Sequence, residues 1–254
     1  LFILKLLIFV RTKHLQVFTT IYAYLLLFLG LFGSAFAQKS ISHDRTTWYN
    51  YMIQSTLTPK WGYSIDGSFR VNDFFIGETQ QWMVRAEVAY TLADRVYLKG
   101  GYSYFQSYPN PDGEPIKENR PHLQLNWSYS YPKWSLYHRF RIDYRLYRPR
   151  DGQEAWNEVR PRYQIGGRIP LIKKETYQLR WNQWHEFMLH FGSNILNAFD
   201  QYRFTNQLEW APGKRTEWHI GYTWFWFQHP TKEATYTSRQ GIRLGMVWIF
   251  NHQK

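Results

Sequence analysis

Strand-length segments with apolar residues at every second position run through much of this chain, and that alternation constrains its fold more than any other feature. Tyr63, Ile65, Gly67, Phe69 and Val71 make one face wholly apolar, while Ser64, Asp66, Ser68, Arg70 and Asn72 make the other wholly polar. Side chains on a strand point to opposite faces in turn, so such a segment has one face in an apolar medium and one in a polar one. The pattern recurs as Trp82, Val84, Ala86, Val88, Tyr90, Leu92 against Gln81, Met83, Arg85, Glu87. It recurs again as Leu123, Leu125, Trp127, Tyr129, Tyr131 against His122, Gln124, Asn126, Ser128. These runs reach roughly ten residues or more, where a soluble strand has about 5–6, and the length fits a tilted crossing of a bilayer. The expected fold is all-β, a transmembrane antiparallel up-and-down barrel of the outer-membrane type.

A soluble sandwich or lipocalin-like barrel also alternates. Its buried face would have to hold rows such as Trp218, Ile220, Tyr222, Trp224 and Trp226, with few small residues to complement them. Aromatic residues make up 20% of the chain, and many fall near strand ends, where they suit aromatic girdles at the headgroup layer. Mean hydropathy is only −0.54, because a polar face dilutes every strand; a helical membrane protein would be far more apolar. With no cysteine, the chain has no disulfide framework, thiolate metal site or thiol nucleophile.

The start of the chain departs from the strand pattern. Lys5, Arg11 and Lys13 precede an apolar run from Leu15 to Phe32, and Ala35-Phe36-Ala37 follows before Gln38. That order reads as a secretory signal peptide cleaved after residue 37, leaving 38–254 as a single barrel domain. An uncleaved anchor is disfavoured by Gln16, Thr19 and Thr20 and by the small-x-small end. The apolar segment before Arg11, with no Met ahead of Met52, leaves the true translation start open. Removing the three basic residues from a net charge of +12 leaves +9. The arginines lie at alternate strand positions and form no basic helix or tail, so nucleic acid is a poor partner.

Alternation and turn signals give eleven candidate strands, near 46–57, 62–72, 79–92, 95–107, 120–131, 134–148, 158–169, 176–189, 200–211, 216–228 and 236–250. Tight connections at Ala93-Asp94, Pro132-Lys133 and 211–215 alternate with long ones at 108–119, 149–157 and 190–199, the rhythm of periplasmic turns and outer loops. Bacterial barrels usually have an even count, so about twelve strands are expected, with 38–45 supplying a first one and ten as the alternative. The last candidate carries Ile242, Leu244, Met246, Trp248 and Phe250 on one face. It resembles the closing strand that outer-membrane assembly machinery reads, although Asn251 to Lys254 overhang it.

Trp61-Gly62-Tyr63 through Arg70, Gln80-Gln81-Trp82-Met83-Val84-Arg85, and Lys99-Gly100-Gly101-Tyr102-Ser103-Tyr104 form a set with Glu186-Phe187, Phe199-Asp200-Gln201-Tyr202-Arg203 and His219-Ile220-Gly221-Tyr222. Together they resemble the family catalogued as domain of unknown function 2490, barrels of Gram-negative outer membranes. The resemblance covers most of the mature chain. It implies fold and location and no assigned activity.

The polar faces carry a basic ladder: Arg70, Arg85, Lys99, Arg139, Arg141, Arg145, Arg160, Arg162, Arg168, Arg180, Arg203, Arg239 and Arg243. Facing carboxylates are Asp66, Glu87, Asp143, Glu158, Glu186, Glu209 and Glu217. Two readings follow. The excess of arginine, above all Arg139, Arg141 and Arg145 against the single Asp143 of their strand, lines a small passive pore for anionic solutes. Alternatively the two signs satisfy one another and close the lumen of a structural or interaction barrel. The third reading is an outer-membrane lipid hydrolase, but no His-x-Ser or Ser-x-His occurs. In His190-Phe191-Gly192-Ser193 the spacing sends the two side chains to opposite faces of an extended segment. No enzyme, cofactor or metal site is therefore expected, the nine His being scattered. The Pro-rich loop from Tyr108 to Arg120 reads as a stiffened surface loop. Outer-membrane lipid is the expected surrounding.

Overall fold

The computed structural model describes residues 39–109, 114–148 and 154–251. The expected signal peptide, the middle of the Pro-rich loop and the overhang beyond Asn251 lie outside the described residues.

Eleven strands follow one another: β1 (Ser40–Thr56), β2 (Trp61–Asn72), β3 (Thr79–Ala93), β4 (Val96–Ser107), β5 (Ile116–Ser130), β6 (Ser135–Arg148), β7 (Trp156–Lys173), β8 (Gln178–Leu189), β9 (Phe199–Ala211), β10 (Thr216–Gln228) and β11 (Thr235–Asn251). Each pairs with its neighbour in sequence, and β1 meets β11 to close the barrel. At 12 to 18 residues, the strands are long enough to cross a bilayer at a tilt.

The expected count of about twelve becomes eleven. Residues 40–45, read as a separate strand, are the opening of β1, because no Gly or Pro lies between Lys39 and Trp48 to reverse the chain. The odd count also changes the closure. Ten neighbouring pairs are antiparallel, as expected, but β1 and β11 run in the same direction, in register from Ser40↔Thr235 to Thr56↔Asn251. An odd number of alternating strands leaves the first and last pointing the same way, so closure there has to be parallel. At the loop rim of the barrel lie the starts of both strands, and at the turn rim their ends.

The interior is polar and the exterior apolar, the reverse of a soluble core. Buried side chains include Asp66, Glu87, Arg141, Asp143, Arg160, Arg162 and Glu186, while Ile65, Val84, Val88, Leu123, Ile142 and Ile220 are exposed. Outward aromatic pairs sit near both rims, such as Trp61 with Tyr90 (4.7 Å) and stacked Tyr131 with Trp134 (4.5 Å) at the turn rim, and Trp226 with Tyr236 (5.3 Å) at the loop rim. Two inward glycines make room for larger neighbours. A Cβ at Gly101 would lie 2.8 Å from both Glu87 Cγ and His122 Cε1, and one at Gly241 would lie 2.9 Å from the Phe225 ring.

Candidate functional site

Strand alternation puts the predicted ladder inside, and register decides which partners meet. In the middle of the barrel, ion pairs link eight consecutive strands from β2 to β9. Arg85 Nε donates to Asp66 at 2.7 Å and lies 3.8 Å from Glu87. Glu87 also receives His122 (2.8 Å), Lys99 (3.4 Å) and Arg141 (3.7 Å). Arg141 donates to Asp143 at 2.5 Å, and Asp143 accepts from Arg162 at 3.1 Å. Glu186 then gathers Arg162 (2.6 Å), Arg139 (2.7 Å) and Arg203 (3.6 Å). Glu87, Asp143 and Glu186 are each shared by two or more cations, which is how a basic interior is held without stranding them.

Toward the loop rim the interior is packed. Arg145 is clamped between Glu118 (2.9 Å) and Glu158 (3.0 Å), and Arg120 donates to Glu118 at 2.6 Å while lying over the Phe105 ring. Arg160 pairs with Asp200 (3.2 Å) and donates to Met188 Sδ. Met188 and Phe225 have no exposed surface, and Gln201 is nearly as buried. Toward the turn rim the packing opens into a cavity of about 700 Å³ that reaches Ser130 and Ser135. Arg180 spans Glu209 (3.4 Å) and Glu217 (2.7 Å), and Arg168 approaches Glu209 at 3.5 Å.

The argument that Asp143 alone faces Arg139, Arg141 and Arg145 does not survive the register. Carboxylates from other strands reach all three: Glu186 from β8, Glu87 from β3, Glu118 from β5 and Glu158 from β7. Of the predicted ladder, Arg70 and Arg243 form no ion pair among the described residues. They flank Trp48 in register, Arg70 on β2 and Arg243 on β11. The guanidinium of Arg70 lies 3.7 Å from the Trp48 ring centroid, and those of Arg243 and Arg203 lie at 5.3 Å.

Several members of the interior escaped the sequence reading. Pro121 looks like an edge, which leaves Glu118 outside a strand expected to begin at Arg120. Instead Pro121 lies inside β5, where the pairing with β6 skips from Asn119 to His122. The signal was present, since Glu118, Arg120, His122, Gln124 and Asn126 are strictly alternate. Trp48 and Phe225 are aromatic and yet buried in the interior. His190 is buried and lies 3.8 Å from Glu158, whereas Ser193 is exposed. Among the described residues, no group of three or more His, Cys, Asp or Glu side chains is placed to hold a metal ion.

A family model described as "Protein of unknown function (DUF2490)" matches residues 45–236. The chain belongs to that family. The family match takes in β2 through β10 whole and with them the ion-pair network, while Arg243 lies beyond its end. No curated protein matches the chain in sequence. Among solved structures, the beta domain of the Bordetella autotransporter Brka is similar, at 13% identity and a TM-score of 0.44 over 65% of this chain and 76% of that one.

Proposed function

We propose that this member of the DUF2490 family is an integral outer-membrane barrel whose interior is a cup, closed toward the loop rim, and not a through channel. The membrane part rests on the inverted polarity: a wall with Val84, Val88, Leu123 and Ile142 exposed has no stable place in water. With short turns on the periplasmic side, the cup opens to the periplasm. In this reading the protein carries out no catalysis, its surroundings are outer-membrane lipid, and the aromatic-ended β11 is the strand read by the assembly machinery.

The observation that carries the cup is the buried Glu118–Arg145–Glu158 clamp, with Met188, Gln201 and Phe225 also fully or almost fully buried in the interior. Ions crossing this layer would have to break charge-assisted pairs that hold their geometry because both partners are desolvated. Reconstitution into planar bilayers tests it. Purified barrels should give no steady conductance above the lipid background. Stable anion-selective steps, reversed by the double change Arg141→Glu with Arg145→Glu, would restore the pore reading and remove the cup.

A further inference from the structure

The turn-side cavity contains a group of cations that the network leaves out. Arg70, Arg203 and Arg243 surround the Trp48 indole, and only Arg203 reaches a carboxylate, Glu186 at 3.6 Å, which it shares with Arg139 and Arg162. All three arginines and Trp48 line the cavity. The indole face offsets part of their mutual repulsion but supplies no counter-charge. The Nε atoms of all three arginines are buried without a protein partner, and so is Trp48 Nε1, on a side chain only 5% exposed. Four buried donors without a protein partner therefore lie on and around the indole, with positive charge in excess.

The rest of the cavity wall is mixed. Asp66, Glu87, Glu186 and Glu209 line it together with the cations they pair with, and between these ion pairs Asn50, Gln124, Asn126, Gln164, Asn182 and Gln207 supply carboxamides, each both donor and acceptor. Asn126 Nδ2, Gln207 Oε1 and His219 Nε2 are also buried without a protein partner. Arginine forks match phosphoryl or carboxylate oxygens, and a ring of carboxamides matches hydroxyl groups. At about 700 Å³ the space is of the size that takes a small ligand.

We propose that this cavity binds one small polyhydroxylated anion of the sugar-phosphate class, its anionic group held by Arg70, Arg203 and Arg243 beside Trp48 and its hydroxyls by the carboxamides. The site depends on the cup reading only for the side from which the ligand enters.

Calorimetric titration of the detergent-solubilised barrel with glucose 6-phosphate, glucose and inorganic phosphate, at matched ionic strength, tests the assignment. Glucose 6-phosphate should bind saturably at one site, at least tenfold more tightly than phosphate and far more tightly than glucose. The double variant Arg70→Gln with Arg243→Gln should lose at least tenfold in affinity. Neither arginine has a carboxylate to strand, so this variant should unfold no earlier than the parent in the absence of ligand. Absence of saturable binding, or equal binding by the folded variant, overturns the site. Phosphate binding as tightly as glucose 6-phosphate overturns the sugar part of the assignment. Steady conductance alongside Arg70- and Arg243-dependent binding would remove the cup and leave the site standing.

Discussion

Glu186 is the residue on which most of the interior charge converges, accepting from Arg139 and Arg162 and lying near Arg203 while only 2% exposed. Replacing it with Gln keeps the shape and removes the charge, leaving three guanidiniums with one remaining counter-ion, Asp143 on Arg162. Breaking a buried pair from one side typically costs about 3–5 kcal/mol, so Glu186→Gln should lower the urea midpoint of the vesicle-bound barrel accordingly, read by tryptophan fluorescence. An unchanged midpoint would mean that the network is decorative. Val84 is the opposite case, an outward side chain half exposed. A Val84→Arg change should cost about 2–4 kcal/mol if Val84 lies near the bilayer midplane, and the same unfolding assay should show it. At this scale the sequence discloses which residues point inward, because alternation is local. It does not disclose that Glu87 meets Arg141 across three strands, or that Trp48 lies between Arg70 and Arg243, since these contacts depend on the register of the closed sheet.

The strands themselves were nearly all legible to within a few residues, since alternation and turn residues mark them without reference to anything distant. The closure was not. Residues joined across it, such as Asp44 and Arg239, are 195 positions apart, and no local signal says that β1 accepts a parallel partner. The absence of native cysteine offers a clean test of this seam. Tyr51 and Met246 are register partners on the outer surface, whereas Tyr236 is paired with Ile41, ten positions along β1 and roughly 33 Å away at the usual strand rise. A short bis-maleimide should therefore link Tyr51→Cys to Met246→Cys within one molecule, visible as a gel shift, and should fail with Tyr51→Cys and Tyr236→Cys. Linkage of the second pair instead would mean that the strands close in another register. The same register accounts for Gly241, whose missing Cβ leaves room for Phe225 directly beside β1.

As a whole molecule the barrel needs an apolar medium around its wall, and its interior needs none. It should therefore fractionate with outer membranes, stay folded in mild detergent and migrate faster on gels before boiling than after; a water-soluble monomer would refute the membrane reading. Alternation carries this expectation; a mean hydropathy of −0.54 in a chain one-fifth aromatic is consistent with it and does not show how the apolar residues are sorted. The parallel seam has a mechanical meaning as well. The chain enters the wall through β1 at one rim and leaves it through β11 at the other, so a pull from something attached ahead of β1 against something held behind β11 draws these two adjacent strands past each other. Under that load the seventeen-residue ladder between them is sheared all at once instead of being peeled open one bond at a time, and a barrel set in a bilayer as proposed would act as a rivet through it.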